Sequence, residues 1–252
     1  MYIAFTTILK KDVKRTLRLW IQTILPPVVT TVLYFLIFGT FIGSQVKSVG
    51  GVSYMAFIVP GLVLMTVLNS SFQGMLFSFY FMKFQKTVEE ILVSPMPHWL
   101  VVAGYITGSV SRGGFIGLLV FASAFFFERI PIAHPILAVL VILLTSVLFA
   151  LMGLVNAIYA RNFDDLNIVS TFALTPLTYL GGVFYSVTLL PPIWQTVSHF
   201  NPILYLINAF RYSILGFSDI PFLTGISVLL GCCAVMFFWV LYLFKTGRGL
   251  RT

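Results

Sequence analysis

Acidic side chains are scarce in this sequence, with 7 Asp and Glu among 252 residues, and charged residues of both signs make up only 9% of it. Soluble domains ordinarily carry charge on about a quarter of their residues. Hydrophobic residues account for 59% of the chain instead, and the mean hydropathy is +1.02. The composition therefore excludes a soluble globular protein and predicts an integral membrane protein.

The sequence also lacks the residue patterns that metal binding, nucleophilic catalysis and ATP binding require. The two cysteines, Cys232 and Cys233, are neighbours inside an apolar run and are interpreted as packing residues. The three histidines lie in separate loops without the spacing of zinc ligands, so no metal site is expected. No Ser-His or Cys-His pair stands out, and no Lys lies in a G-x-x-x-x-G-K-[ST] phosphate loop. The chain is therefore not expected to act as an enzyme or to hydrolyse ATP itself.

The net charge of +8 does not indicate a nucleic-acid partner. The basic residues stand at the ends of apolar runs, and they are not clustered with base-stacking aromatic residues on a polar surface. Their positions are better explained by membrane topology.

Long apolar runs predict an all-α integral membrane protein with six transmembrane helices in a single domain, residues 1–252. About 20 apolar residues cross the hydrocarbon core of a bilayer. The predicted spans are, in chain order, 21–43, 55–81, 99–127, 136–159, 166–186 and 221–244.

Two further segments are rich in apolar residues without forming simple spans. Residues 1–20 place apolar side chains at helical spacing and cations on other faces, which predicts an amphipathic helix in contact with membrane lipids. A basic flank that only orients the first span is the alternative. Residues 187–219 are interrupted by Pro191-Pro192 and Asn201-Pro202, which predicts a re-entrant helical hairpin between spans five and six. An ordinary interfacial helix is the alternative there.

The basic residues predict the orientation of the spans. If the N-terminus is cytoplasmic, eleven Lys and Arg fall on the cytoplasmic side, three fall on the other side, and Arg112 lies within a span. The positive-inside rule favours this arrangement, in which both termini are cytoplasmic. The eleven residues are Lys10, Lys11, Lys14, Arg15, Arg18, Lys83, Lys86, Arg161, Lys245, Arg248 and Arg251.

This organisation and three local motifs resemble the permease subunits of ABC-2 type exporters. The stretch 172-FALTPLTYLGGVFYSVTLLPPIWQTVSHFNPILYLINAFRY-212 is similar to the family's C-terminal signature, an apolar span followed by a Pro-containing turn, Asn-Pro and a downstream Arg. The motifs 60-PGLVLM-65 and 89-EEILVSPMP-97 agree with it. The resemblance extends over essentially the whole chain and is strongest with the YadH-like bacterial inner-membrane permeases.

The resemblance implies a multi-pass protein of the bacterial inner membrane that forms the path for an amphipathic substrate, such as a drug, a lipid or a lipid-linked glycan. It also implies a homodimer that is powered by a separate cytosolic ABC ATPase. ATP and Mg would bind to that partner, and no cofactor is expected in this chain. An ATP-independent secondary transporter or channel is the alternative, but all 7 acidic residues fall at or outside the ends of the spans.

Residues 82–98 correspond, by the same resemblance, to a coupling helix that docks on the ATPase. Three apolar residues of this segment share one face of a helix, whereas Glu89 and Glu90 project elsewhere. A solvated loop is the alternative. The candidate ATPase contacts are Lys86, Glu89, Glu90, Asp164 and Asp165, and a helix N-cap is an equally good interpretation for one of the two aspartates.

Arg112 stands out within the third span. Counted from Trp99 at 1.5 Å per residue, it lies about 20 Å into the membrane, where a cation costs several kcal/mol without a partner or water. It is expected either to brace helices or to meet an anionic substrate. Two small-xxx-small glycine pairs around it predict close helix contact. They are formed by Gly104, Gly108, Gly113 and Gly117.

Three other polar residues are weaker candidates for lining the transport path. They are Asn156 in the fourth span and Tyr179 and Tyr185 in the fifth. Polar packing between helices is the alternative for each of them.

Overall fold

The fold was determined as a computed structural model, which describes residues 10, 14–43, 48–49, 51–88 and 97–249. Five helices in these ranges are long and apolar enough to cross a membrane. They run over Trp20–Gly39, Tyr54–Phe84, Trp99–Ala124, Pro135–Tyr159 and Phe222–Thr246. The prediction of an all-α membrane protein is confirmed at this level, and each of the five begins and ends within a few residues of a predicted span.

The helical elements, in chain order, carry the labels used below. They are α1 Trp20–Thr23, α2 Leu25–Tyr34, a first π-helical segment Phe35–Ile42, α3 Tyr54–Phe84, α4 His98–Ala124, α5 Pro135–Tyr159, α6 Asp165–Val169, a second π-helical segment Ser170–Leu174, α7 Thr175–Tyr179, a 3-10 turn Val187–Leu189, α8 Pro192–His199, α9 Pro202–Leu215 and α10 Phe222–Thr246.

Helix α3 forms the centre of the molecule and packs mainly against α4 and α5. Small residues allow these helices to approach closely. A Cβ atom on Gly113 of α4 would meet the Ser71 hydroxyl, and one on Gly153 of α5 would meet the carbonyl oxygen of Phe72. The second predicted glycine pair, which includes Gly113, therefore lies at a close helix crossing.

A short β-hairpin, which the sequence did not predict, precedes α3. Strands β1 Ser48–Val49 and β2 Val52–Ser53 pair antiparallel. The Ser53 hydroxyl then caps α3 by accepting a hydrogen bond from the Ala56 amide at 3.1 Å, and it donates to Glu128 Oε1 at 2.9 Å. This contact joins the start of α3 to the loop that follows α4.

The predicted fifth span differs from the structure at its C-terminal end. Helical structure begins at Asp165 and passes through the second π-helical segment, but it ends at Tyr179 instead of residue 186. The break comes just before Gly182, whose φ of +77° suits glycine alone. Fifteen residues rise only about 22 Å, less than the thickness of the hydrocarbon core. The arrangement of six spans therefore stays a prediction.

Two short helices, α8 and α9, stand where the broken hairpin was predicted, and they meet at Asn201. Their re-entrant position in the bilayer is not tested by the fold. Residues 82–84 of the predicted coupling helix are the last residues of α3, and the coupling role of residues 82–98 stays a prediction. Glu89 and Glu90 lie outside the described residues, as does most of the predicted surface helix 1–20.

Candidate functional site

A cleft of about 680 Å³ opens between the α1–α2 segment, α3 and α4. Its walls combine apolar side chains with many polar ones, although the helices themselves are strongly hydrophobic. Asn69, Ser70 and Gln73 are spaced so that one face of α3 presents all three. The polar lining residues at the level of α2, α3 and α4 are Thr30, Thr31, Thr66, Asn69, Ser70, Gln73, Ser78, Ser109 and Arg112.

Arg112 lies on the wall of this cleft, and a glycine on the facing helix makes room for it. A Cβ atom on Gly74 of α3 would lie 3.2 Å from Cδ of Arg112 and 3.7 Å from Nε and Nη1. The guanidinium thus extends from α4 across the backbone of α3, where a larger residue would displace it. The sequence left two roles open for Arg112, helix bracing and contact with an anionic substrate. Its location beside a cavity is compatible with substrate contact, and both roles stay predictions.

Hydrogen bonds fix several of the polar side chains around the cleft. Gln73 Nε2 donates to the Ser170 hydroxyl at 3.1 Å, which joins α3 to the second π-helical segment. The hydroxyls of Thr31 and Thr66 share a hydrogen bond of 2.9 Å between α2 and α3. Two buried atoms, Ser70 Oγ and Gln73 Oε1, have no hydrogen-bond partner among the residues that the structure describes. The cleft therefore contains hydrogen-bonding atoms that no described residue satisfies.

Among the described residues, those that line the cleft and carry charge are both arginines. Arg15 stands at one end, with its guanidinium carbon 5.2 Å from the centre of the Phe81 ring, and Arg112 stands deeper inside. No acidic residue is among the described residues that line the cavity. Nor do three His, Cys, Asp or Glu side chains come together as a possible metal site anywhere in the described ranges.

The three weaker candidates lie outside the cleft and make structural contacts. Asn156 Nδ2 donates to the carbonyl of Leu166 at 3.1 Å and so ties α5 to α6. The Tyr185 hydroxyl donates to the carbonyl of Tyr179 at 3.0 Å, across the turn that follows α7. These contacts agree with polar packing, whereas the side chain of Tyr179 is itself 43% exposed.

The loop between α5 and α6 is organised by Asp165, one of the candidate ATPase contacts. Its carboxylate accepts from the Arg161 amide at 3.0 Å, and its own amide donates to Asn162 Oδ1 at 2.8 Å. Asp164 holds the N-cap position of α6 but makes no capping hydrogen bond through its side chain in the described part of the chain. Asp164 is exposed, so its carboxylate remains accessible to a partner.

Lys83 has a role that the sequence did not reveal. Its Nζ donates to the carbonyl of Ile158 and, at 3.0 Å, to that of Ala160, so it neutralises the C-terminus of α5. A second cavity of about 480 Å³ lies beside it and is also lined by Lys86, Arg161 and Gly249. The ends of α3, α5 and α10 therefore meet at one basic end of the bundle.

Arg211 entered the sequence analysis as a charge on the outer side and as the downstream Arg of the C-terminal signature, but its contacts could not be derived from the sequence. Its side chain is 1% exposed, and Nη2 donates to the carbonyl of Gly182 at 2.8 Å. Its Cζ lies 3.8 Å from the centre of the Phe57 ring, and Nη1 lies 4.0 Å from the carboxylate of Asp219.

The Asn-Pro motif explains how α9 is attached to α7. Asn201 is buried, its Oδ1 accepts from the Ile203 amide at 3.0 Å, and its Nδ2 donates to the carbonyl of Leu177 at 2.6 Å. One side chain therefore caps α9 and binds it to α7, while Pro202 occupies the first position of the helix, where its missing N–H is tolerated.

Comparison with known proteins gives matches that extend over most or all of the chain. A model of the ABC-2 type transporter family matches residues 3–215. The chain is 47% identical over 251 residues to the inner membrane transport permease YadH of Escherichia coli (strain K12), which covers 100% of this chain and 98% of that protein. It is 28% identical over 188 residues to nodulation protein J of Rhizobium leguminosarum bv. trifolii, which covers 73% of this chain and 71% of the relative.

Proposed function

The chain belongs to the ABC-2 type transporter family as a membrane transport permease, and from this premise we propose that it is the permease subunit of an ATP-driven exporter. It forms the path for an amphipathic substrate, such as a drug, a lipid or a lipid-linked glycan. A separate cytosolic ABC ATPase binds ATP and Mg and supplies the energy. Both termini of the permease lie in the cytoplasm.

The polar cleft is the observation that carries this proposal. Polar side chains and an arginine inside apolar helices avoid lipid, so they must face protein, water or a ligand. Here they face a cavity of about 680 Å³, which is large enough for a drug-sized molecule. A bundle with a purely structural role would gain nothing from such a cavity.

Helix α3 offers a direct mechanical link between an ATPase and the cleft. It carries Asn69, Ser70 and Gln73 on the cleft wall and continues as one helix to Phe84, five residues before Glu89. Movement of a coupling segment that contains Glu89 and Glu90 would therefore act on the cleft through a rigid element.

A second copy of the chain accounts for the exposed surface around the predicted fifth span. Four polar residues recur at intervals of four and are all exposed, namely Asn167, Thr171, Thr175 and Tyr179. Such a row is unfavourable against hydrocarbon. In a homodimer this row faces its counterpart or a shared aqueous path. The hairpin of α8 and α9 would dip into the outer half of the membrane beside it.

The proposal is tested by isolating the tagged permease with its ABC ATPase and reconstituting the complex in liposomes. We expect vanadate-sensitive ATP hydrolysis that amphipathic compounds stimulate. The double variant Glu89→Lys/Glu90→Lys should fold but lose the ATPase, because docking carboxylates orient the partner. Arg129→Glu, a charge reversal at an exposed site away from that segment, is the matched control.

Two results would contradict the proposal. One is unchanged co-purification and unchanged transport in the double glutamate variant. The other is full transport by liposomes that contain the permease without any ATPase, which would favour an ion-coupled transporter or a channel.

A further inference from the structure

We propose that the basic cavity at the shared end of α3, α5 and α10 binds the phosphate head group of an anionic phospholipid. The cavity has a volume of about 480 Å³, and among the described residues it shares no lining residue with the polar cleft. This inference goes beyond the proposed function, because it involves neither an ATPase nor a transported substrate.

Contacts between two helix ends bring three cations together. Lys83 Nζ donates to the carbonyls of Ile158 and Ala160, so the last turn of α3 is held against the end of α5. Ala160 directly precedes Arg161, and Lys86 follows Lys83 by three residues. All three basic residues line the cavity, and Lys86 and Arg161 are exposed and therefore accessible to a ligand.

The charge balance of the described residues at this end of the bundle favours an anion. No Asp or Glu is among the described residues that line the cavity. The adjoining loop carries Asp164 and Asp165, and the carboxylate of Asp165 accepts from the Arg161 amide at 3.0 Å. The three lining cations exceed these two aspartates in number, and Lys245 and Arg248 near the end of α10 add to the positive charge. Lys and Arg form strong, charge-assisted hydrogen bonds with phosphate oxygens.

Aromatic residues at the edge of the cavity place it at the level of lipid head groups. Phe84 and Tyr159 are the last residues of α3 and α5, and both line the cavity. They are 64% and 52% exposed. Aromatic side chains at the ends of membrane helices typically lie at the boundary between hydrocarbon and water. A phospholipid at this level reaches the cavity with its phosphate while its acyl chains stay in the bilayer, and basic pockets between membrane helices commonly bind lipid head groups.

The backbone of Lys86 adopts a conformation that lysine rarely takes. Its φ is +57°, in the left-handed region that glycine usually occupies just after a helix. The Lys86 amide donates to the carbonyl of Lys83 at 3.0 Å, so the residue belongs to the turn that ends α3. Glycine would adopt this turn with less strain. Backbone strain of this kind is concentrated at functional sites, which agrees with a role for the lysine side chain at the cavity.

The experiment is native mass spectrometry of the purified permease in detergent, with defined lipids added. The probes are dioleoyl phosphatidylglycerol, which is anionic, and dioleoyl phosphatidylcholine, which is zwitterionic and has the same acyl chains. We expect the first phosphatidylglycerol to bind roughly tenfold more tightly than the first phosphatidylcholine, because several cations act on one anionic head group. An excess of inorganic phosphate should not displace it, because free phosphate lacks the acyl chains.

Three substitutions make the assignment specific. Lys86→Gly removes a cation and suits the left-handed backbone, so it should keep or raise the melting temperature. It should nevertheless reduce the preference for phosphatidylglycerol about fivefold. Arg161→Gln should have a similar effect, whereas Arg161→Lys should retain most of the preference. Lys245→Gln is the matched control, because Lys245 is an exposed cation at the same end of the bundle that does not line the cavity.

Several outcomes would overturn the inference. Equal affinity for the two lipids would exclude recognition of an anionic head group, and displacement by inorganic phosphate would indicate a site for free anions. An unchanged lipid preference in Lys86→Gly would exclude the cavity. An equal loss of preference in Lys245→Gln would indicate general attraction to a basic surface. Because no ATPase or transported substrate enters the assay, the inference and the proposed function can fail separately.

Discussion

Two arginines within the helical bundle illustrate how surroundings decide the role of a residue. Arg211 is 1% exposed and is enclosed by the Phe57 ring, the Gly182 carbonyl and Asp219. Arg112 is half-buried and lies along a cavity. The sequence left both helix bracing and substrate contact open for Arg112, and both stay predictions, whereas the contacts of Arg211 are those of a helix brace.

The bracing role of Arg211 predicts a loss of stability when its guanidinium is removed. In Arg211→Met the carbonyl of Gly182 loses a charged donor and the Phe57 ring loses its cation, so we expect destabilisation by roughly 2–3 kcal/mol. Thermal unfolding of the purified protein in detergent measures the effect. Arg129→Met removes an exposed arginine and is the control. Equal melting temperatures for the two variants would argue against a brace.

Close helix packing predicts opposite effects on stability when two different glycines are replaced by alanine. A Cβ atom on Gly153 would meet the carbonyl oxygen of Phe72, with the carbonyl carbon at 3.2 Å and Cα at 3.3 Å. Because a backbone cannot rotate away as a side chain can, Gly153→Ala should destabilise by about 1–3 kcal/mol. Gly114→Ala meets no described atom within 4 Å and should be neutral or slightly stabilising. Melting temperatures of the two variants in the same detergent provide the comparison, and a stable Gly153→Ala would contradict the packing.

At the scale of secondary structure, hydropathy alone predicted the long helices well. The predicted spans 55–81, 99–127 and 136–159 correspond to α3, α4 and α5, because a membrane fixes the length of an apolar helix. The same reasoning failed after Tyr179, where the sequence stays apolar to residue 186 but Gly182 takes a left-handed conformation. Hydropathy is insensitive to a backbone turn that is itself built from apolar residues.

The prolines indicated the breaks that bound the short helices α8 and α9, but they did not indicate how these helices are attached. Breaks in an apolar run indicate where helices end, whereas the partner of Asn201 on α7 depends on tertiary contact. The Lys83 cap on α5 was hidden for the same reason, since 75 residues separate donor and acceptor. The positions of these polar side chains in the sequence therefore do not reveal which contacts they make.

The double role of Asn201 predicts that one substitution loosens the whole hairpin. Asn201→Ala removes the cap of α9 and the bond to Leu177, and we expect a loss of about 2 kcal/mol together with faster hydrogen exchange in α8 and α9. Thr196→Ala is the control, because that exposed hydroxyl bonds only to the Pro192 carbonyl of its own helix. Exchange rates in α8 and α9 that match those of the control would show that the hairpin is held by other contacts.

At the scale of the whole molecule, the sequence predicted where charge gathers, and the structure brings several of those charges together. Lys83, Lys86 and Arg161 line one cavity at the end of the bundle where α3 and α5 terminate. The cleft itself could not be derived from the sequence, because it depends on the approach of three helices. The sequence did single out Arg112 and the polar residues of the second span, Ser70 among them, whereas Gly74 and Ser109 have ordinary identities for packed membrane helices.

The exposed polar row of the predicted fifth span leads to a test of assembly. In a background where Cys232 and Cys233 are replaced by Ala, Thr171→Cys should form a crosslinked dimer with a short bifunctional maleimide in native membranes. Two copies that cover the row bring their Thr171 positions close together, because polar side chains are sheltered from lipid. Val235→Cys on α10 is the matched control, since it replaces a β-branched residue of similar size that is 66% exposed but apolar. Crosslinking at Val235 and none at Thr171 would place the interface on α10 and leave the polar row to be covered by another partner.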